Sequence, residues 1–356
     1  MNTLQITQQV VNQYFICLQQ ASLKPIPWNI YHTNCDPAIA TLDPTCIYFN
    51  KVFQEMEQHL TVRGLTFYLT WDTDKLPSYG DNVVAILLGD EHCRIPSYIH
   101  KVRAIFKTLT TRLMMRENFF LQPSYLNLMI LIQFLRSWLI RTPGLLNFWF
   151  HRLIGAKIAH IYDIPLGYYK QDDLPVKDIV ERQYDIFFAG SLMPNHPILS
   201  WRYWLRNPKD IVRKQMLSAV KKLPTKYAQL KIAVSTTNDF GLEGKFYTDE
   251  RSYSEKLMDT KICLAPRGTV LETFRFFEGL RYGCIVVAQV LPDSWFYQGC
   301  PAIQLSAWNE LEQIIEGILQ NKELMQIQQE KTLKFWHEKC SEVSVGNFMA
   351  AKLNSP

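Results

Sequence analysis

Residues 261–288, KICLAPRGTVLETFRFFEGLRYGCIVVA, constrain the fold more than any other stretch of the chain. They read as strand, tight turn, helix, glycine, strand. Residues 261–264 form a short apolar run that stops at Ala265-Pro266-Arg267-Gly268, a breaker cluster in which a strand does not continue. Leu271, Phe274, Phe277 and Leu280 then recur at helical spacing. Gly283 ends that helix, and residues 284–288 are a continuous apolar run suited to a parallel strand covered on both faces. The stretch is therefore a βαβ unit whose first turn puts Arg267 and Gly268 where a helix begins. Unpaired N–H groups and partial positive charge at a helix start suit a phosphate. Arg275 and Glu278, three apart, add a cation for phosphates and a carboxylate for sugar hydroxyls.

The same residues carry plainer readings. Thr269-x-x-Glu272 matches a capping box, in which Glu272 only satisfies backbone donors. Arg275 and Glu278 also have the spacing of a surface i,i+3 ion pair, worth a few tenths of a kcal/mol.

Taken together, Cys263-Leu264-Ala265-Pro266-Arg267-Gly268, Thr273-x-Arg275-x-x-Glu278-Gly279 and Gly283-Cys284-Ile285-Val286-Val287 resemble the nucleotide-sugar signature of exostosin-like glycosyltransferases. The resemblance covers roughly residues 160–320 and implies an α/β fold of the GT-B class, two Rossmann-like domains facing a central cleft. It implies Arg275 on the donor diphosphate and Glu278 on the nucleotide ribose, with Arg267, Gly268 and Thr273 in the same donor site. The chain departs from the family pattern in three places: Phe274 replaces the usual Pro, Gly279 the usual Ala, and Val286 the usual Pro. Without that first Pro, the helix start is open between Thr269 and Thr273.

A chain of 356 residues has room for two domains. With 47% hydrophobic and 20% charged residues it is globular in composition, which excludes disordered and fibrous classes. The first residues, MNTLQITQQVVNQYF, show neither a basic n-region nor a long apolar core, so no signal peptide is expected. Eight Cys occur without C-x-x-C spacing, and several sit in apolar runs, a pattern of reduced, buried thiols and a cytoplasmic location.

Charge is uneven. Residues 98–160 hold nine Lys/Arg (Lys101, Arg103, Lys107, Arg112, Arg116, Arg136, Arg141, Arg152, Lys157) against Glu117, a balance of +8 in a chain whose net charge is +5. Interleaved with Phe, Trp, Leu and Ile, these bases suit an anionic membrane surface on its inner face. The high apolar content argues against an exposed stripe for nucleic acid. The apolar run at 125–135 is broken by Arg136 and Arg141 and falls short of the roughly 20 residues that span a bilayer.

In the N-terminal half the pattern predicts a weak helix over 4–20, strands at 66–71 and 83–88, and a helix over 98–107. The strand at 83–88 delivers Asp90, Glu91 and His92 at its carboxyl end, where ligands of open α/β sheets gather. These three are the candidate acid/base residues. Asp72-x-Asp74 after the strand at 66–71 has the form of a divalent-metal pair, but WDTDKLPSYGD is equally ordinary turn chemistry; no metal site is expected. In the second half, residues 184–188 begin a domain and are followed by Ala189-Gly190-Ser191. Gly190 and Ser191 are candidate donor contacts, because the exostosin-like family has a similar Phe-x-Gly there, and Arg213 matches a basic position of that family.

The expected organisation is an acceptor-side domain over 1–160, a nucleotide-sugar domain over 161–325, and a C-terminal helical segment, 326–356, crossing back to the first. The expected activity is transfer from a nucleotide diphosphate sugar, UDP-linked, to a glycan or lipid-linked acceptor, with no further cofactor. A non-catalytic protein that binds sugar nucleotide or polysaccharide is the alternative. A nicotinamide dehydrogenase ranks low, because no G-x-G-x-x-G follows a predicted strand.

Overall fold

The computed structural model describes residues 11–18, 24–32, 35–109, 120–169, 172–192, 207–237 and 252–355. Arg112 and Arg116 of the basic segment lie outside the described residues, as does much of the helix expected over 4–20. The first half contains β1 (Gln13–Cys17), β2 (Ile26–Pro27), α1 (Pro37–Leu42), α2 (Thr45–His59), β3 (Thr66–Thr70), β4 (Gly80–Leu87), β5 (Val102–Lys107), α3 (Tyr125–Leu153) and β6 (His160–Asp163). The second half follows with β7 (Tyr184–Ser191), α4 (Pro208–Lys226), β8 (Ile232–Thr237), α5 (Tyr253–Met258), β9 (Thr260–Ala265), α6 (Phe274–Arg281), β10 (Ile285–Gln289), β11 (Ile303–Leu305), α7 (Leu311–Leu319), α8 (Lys322–Phe335) and α9 (Glu342–Asn354).

Two compact units result. One comprises Met1–Thr111, Ile140–Ile164 and Glu342–Pro356; the other comprises Arg112–Leu139 and Pro165–Ser341. Each is built on its own parallel-rich sheet, in the manner of a Rossmann-like unit.

The sheet of the first unit runs β2-β1-β3-β4-β5-β6, parallel throughout except for the edge pair β1/β2. Two sequence expectations are corrected here. The segment read as part of a helix over 4–20 is strand β1 at Gln13–Cys17, and the helix expected over 98–107 is a turn followed by strand β5. Strand β5 is buried on nearly every residue, and such a run has no alternation to tell it from a helix; β1 does alternate, with Gln13 exposed and Phe15 half-buried, but over only five residues. On one face, Tyr14, Phe53 and Phe67 pack ring to ring, with Tyr14 stacked on Phe67 at 4.7 Å. There α9 lies against α2 so closely that a Cβ on Gly346 would stand 2.8 Å from Val52 O and Met56 N. Asn354 ties the end of α9 down, accepting from Thr61 N–H at 2.8 Å and donating to His59 O at 2.9 Å. On the other face, Tyr68, Ala85 and Ile105 are covered by Leu76, Tyr98 and Ile99 from the loops, with Phe148 of α3 packed against them.

The sheet of the second unit is wholly parallel, in the order β11-β10-β9-β7-β8. The chain leaves β7 to form β8 on one side, then returns to lay β9 on the other. That reversal makes the gap between the carboxyl ends of β7 and β9 a topological switch point, the place where open α/β sheets bind ligands. One face buries Ile186, Phe188, Ile262, Leu264, Ile285 and Val287 under Val212, Met216 and Val220 of α4 and Leu311 and Ile315 of α7. The opposite face carries α6. A Cβ on Gly279 would meet Val286 Cγ2 at 3.0 Å and Cys263 Sγ at 3.1 Å. Two departures from the exostosin-like pattern thus touch each other: the valine at 286 fills space that the glycine at 279 concedes.

Candidate functional site

The carboxyl end of β7 delivers Phe188, Ala189, Gly190 and Ser191 to the switch point, and two arginines converge on it. Arg213 comes from α4, which starts at Pro208 under an Asn207 cap. Its Nη1 donates to Ser191 O at 2.6 Å and, more weakly, to Ser191 Oγ at 3.4 Å. Arg275 comes from the first turn of α6, just beyond β9. Both guanidinium groups lie over the ring of Phe188, Arg275 at 4.6 Å and Arg213 at 5.9 Å from its centroid. Each is within the range of a cation–π contact, which offsets part of the repulsion between the two like charges. Lys209, one helical turn before Arg213, donates to Ser191 Oγ at 3.0 Å and brings a third cation.

These cations are poorly compensated. Arg213 is 5% exposed. Burial first, then Arg275, pull its guanidinium down from its usual value to about 9, against the opposing pull of Asp210. Arg275 Nε and Nη1 and Arg213 Nε are buried with no hydrogen-bond partner among the described residues. A buried, charged donor without an acceptor costs more than a neutral one. Several such donors at a switch point describe a site built for an anion. Gly190 keeps the space open, since a Cβ there would stand 2.6 Å from Arg275 Nη2 and 3.3 Å from Arg213 Nη1.

The helix start left open by the sequence is settled. Helix α6 begins at Phe274 with Thr273 as its N-cap residue, and Thr273 makes no side-chain capping bond. Its Oγ1 is buried without a partner among the described residues. The turn before it is close-packed: a Cβ on Gly268 would meet Glu272 O at 3.1 Å and Thr273 Cγ2 at 3.3 Å. Arg267 faces away from Arg213 and Arg275 in its bonding, with Nη2 donating to Gln133 Oε1 at 3.2 Å and Thr269 O at 3.1 Å. Glu278 is 4% exposed and does not form a surface pair. Its Oε1 accepts from Tyr169 N–H at 3.1 Å and its Oε2 from the Tyr253 hydroxyl at 2.7 Å. The structure therefore brings Gly190, Ser191, Arg213 and Arg275 together, sets Thr273 at the start of the same helix, and gives Arg267 and Glu278 partners of their own. The sequence reading missed Lys209 and Phe188. The Lys209-x-x-x-Arg213 spacing, one turn of a helix after a strand end, was the available signal for the lysine.

In the first unit, β4 ends at Leu87 and Gly89 takes φ 72°, with its missing Cβ leaving room for Trp71 Cδ1 at 2.8 Å. The turn places Asp90 inward. Its carboxylate pairs with Lys107 Nζ at 2.7 Å and Arg94 Nε at 3.1 Å, and its side chain is wholly buried. Burial opposes its ionisation, but Lys107 and the bonds from Lys107 and Arg94 outweigh this and hold the carboxyl below its ordinary 3.8. Such a group is a poor proton acceptor. Glu91 is exposed and His92 half-buried on the same turn. Asp72 Oδ1 accepts from Asp74 N–H at 2.7 Å and Lys75 N–H at 3.1 Å, the turn chemistry that the sequence allowed.

No protein-family model matches the chain. Over 61 residues, 17% of this chain and 15% of the relative, it is 43% identical to an Exostosin-1 homolog of Caenorhabditis elegans. Among solved structures it is similar to TarM, with 12% identity and TM-score 0.43 over 87% of this chain and 58% of that one. It is similar to the pneumococcal O-GlcNAc transferase GtfA in complex with UDP and GlcNAc, with 10% identity and TM-score 0.40 over 78% and 58% of the two chains. A sucrose-phosphate synthase from Thermosynechococcus elongatus is matched at 10% identity and TM-score 0.40, over 86% and 92%. The chain thus matches a small part of its curated relative and somewhat over half the length of the first two structures. At these TM-scores the fold rests on the strand orders of the chain itself.

Proposed function

We propose that the chain is a glycosyltransferase that takes a nucleotide diphosphate sugar, UDP-linked, and passes the sugar to a glycan or lipid-linked acceptor. The observation that carries this reading is the pair Arg213 and Arg275, with buried unpaired donors at the switch point of a parallel sheet. In the reaction, the bond from the anomeric carbon to the diphosphate oxygen breaks and a bond to an acceptor hydroxyl oxygen forms. The nucleoside diphosphate leaves with the negative charge, and the hydroxyl proton passes to a base. Two arginines, Lys209 and the start of α6 supply positive charge where the leaving group develops it, without needing a metal for that step. Of the three acid/base candidates, Asp90 is held as an ion pair, so Glu91 and His92 are the ones left to test as proton acceptors. The 61-residue identity to an Exostosin-1 homolog supports the exostosin-like form of this reading. Eight cysteines outside any disulfide, seven of them buried, support a reducing, cytoplasmic location.

Calorimetry with UDP, followed by UDP release from a panel of UDP-sugars with and without acceptor, tests the proposal. UDP should bind the parent, lose most of its affinity in Arg275→Ala, and keep it in excess chelator. Binding that is indifferent to Arg275→Ala removes the donor site from the switch point. Donor binding with no turnover on any acceptor leaves a binding protein in place of an enzyme.

A further inference from the structure

The second half of α3 carries a feature that donor chemistry does not use. Within the first unit, Leu146, Trp149, Phe150, Leu153 and Ile154 are 66%, 53%, 60%, 83% and 62% exposed. Their spacing, steps of three and one over two turns, puts them on one face. The other face fixes the helix to the unit. A Cβ on Gly144 would stand 2.4 Å from Ile95 O, Asn147 Nδ2 donates to Ser97 O at 3.0 Å, and Phe148 packs on the sheet. The apolar face is thus presented outward by a helix that has no freedom to roll it in. Five large apolar side chains side by side are far from the scattered single exposures of an ordinary surface.

The charges that the helix itself carries have one sign. Arg152 is exposed, with its guanidinium 5.5 Å from the Trp149 ring, and Arg141 lies three turns back on the helix. Lys157 follows on the surface, where it meets exposed Asp81. No Asp or Glu occurs anywhere from Asn118 to Tyr162. No helix among the described residues is long and apolar enough to cross a membrane. Within the second unit, the first half of α3 repeats this chemistry: Ile132, Leu135 and Leu139 are exposed and Arg136 stands among them.

We propose that the second half of α3 docks the protein on an anionic lipid surface, lying in the interface with Trp149, Phe150 and Leu153 among the acyl chains and Arg152 at the headgroups. A second copy of this chain is a poorer occupant, because apposing the helix with itself would bring its arginines together with no acid on the helix. Anionic lipid answers them directly, and a Trp beside an Arg on an apolar face is the composition of an interfacial helix.

The experiment is flotation of the full chain with vesicles of phosphatidylcholine alone and of phosphatidylcholine with 30% phosphatidylglycerol, a composition chosen for the test, at low and high salt. The chain should float with the anionic vesicles, much less with the neutral ones, and fall away as salt rises. W149S/F150S/L153S should lower the partition coefficient by about tenfold or more, and R152Q should weaken the anionic preference. All four side chains are exposed, so thermal unfolding should match the parent. Should the triple variant fail to fold, quenching of the parent's tryptophan fluorescence by bromine-labelled lipid decides in its place. No flotation at low salt, unchanged flotation of a folded triple variant, or absence of quenching overturns the proposal. So does a concentration-dependent dimer that the triple variant abolishes, since the face is then covered by a second copy. UDP binding reads out the donor site separately, so failure here leaves that proposal standing.

Discussion

A Cβ placed on Gly190 would stand 2.6 Å from Arg275 Nη2, so the glycine at the end of β7 and the arginine at the start of α6 define each other's positions. The atom in the way is the far end of a flexible side chain, and Gly190 does not have a positive φ. Gly190→Ala should therefore fold with a loss of no more than about 1 kcal/mol, yet push Arg275 off the Phe188 ring and weaken UDP or pyrophosphate binding about tenfold or more. Calorimetry and thermal unfolding of the one variant check both halves. Unchanged affinity would mean that Arg275 is not where the anion sits.

Arg213 and Arg275 repel each other across that ring, and a bound diphosphate relieves the repulsion. Arg275→Met should therefore leave the unliganded protein as stable as the parent or slightly more so, while the stabilisation by saturating UDP disappears. For the parent, ligand at about a hundred times its dissociation constant adds roughly 2.7 kcal/mol. A variant that loses stability without ligand and keeps the full UDP shift would reverse this account.

The βαβ unit at 261–288 was legible because its punctuation is local: Pro266 and Gly268 stop one strand and Gly283 starts the next. The two arginines were legible through a family pattern. What stayed hidden depends on contacts between distant segments. Lys107 reaches Asp90 because β5 pairs with β4, placing Lys107 opposite Leu87. Phe188 becomes a platform only once α4 and α6 bring arginines to the same ring. Glu278 looked like a surface partner for Arg275 at i,i+3, but α6 turns it toward Tyr169 and Tyr253. Strand β5 was misread because burial on both faces erases the alternation that marks a strand, and β1 because its alternation spans only five residues.

Glu278 accepts two hydrogen bonds in a nearly buried setting, so its removal should be felt in the fold as well as in any ribose contact. Glu278→Ala should cost about 2–3 kcal/mol by leaving the Tyr253 hydroxyl and Tyr169 N–H without their acceptor. Glu278→Gln, which keeps one acceptor oxygen, should recover part of that. Urea unfolding of both variants measures it. Equal stability of Glu278→Ala and the parent would show that neither bond contributes.

His100 stacks on His151 with ring centroids 3.5 Å apart and planes 15° from parallel. Burial first, then His151 and Lys101, hold His100 below its ordinary 6.5. The folded state thus prefers the neutral ring. Its contribution is fully present above about 6.5 and is lost as pH falls through 6.5 toward the lower folded value. The melting temperature should drop between pH 7.5 and 5.5 (values chosen for the test), and His151→Gln should flatten that slope. A parent profile that is level over this range would dismiss the pair as a source of acid sensitivity.

Asp90 and Lys107 form the other acid-sensitive element, in a lower window. Their side chains are 0% and 1% exposed, so each is the counter-charge that lets the other be buried. Lys107 has a second acceptor in Arg94 O at 2.9 Å, which a charged ammonium cannot live on alone. Asp90→Asn should therefore destabilise the first unit by about 3–5 kcal/mol, whereas a double change of Asp90→Leu with Lys107→Met should recover most of it. The carboxyl is held below 3.8, so the ion pair's contribution is present above that value and is lost as pH falls through the lower folded one. Unfolding measured at neutral pH separates this from a catalytic role. If Asp90→Asn unfolds at the parent's denaturant midpoint and instead loses turnover on a productive donor and acceptor, then Asp90 is the base and the ion pair is incidental. If it unfolds early while its folded fraction retains turnover, the base lies with Glu91 or His92, and Glu91→Gln and His92→Gln at unchanged stability identify which.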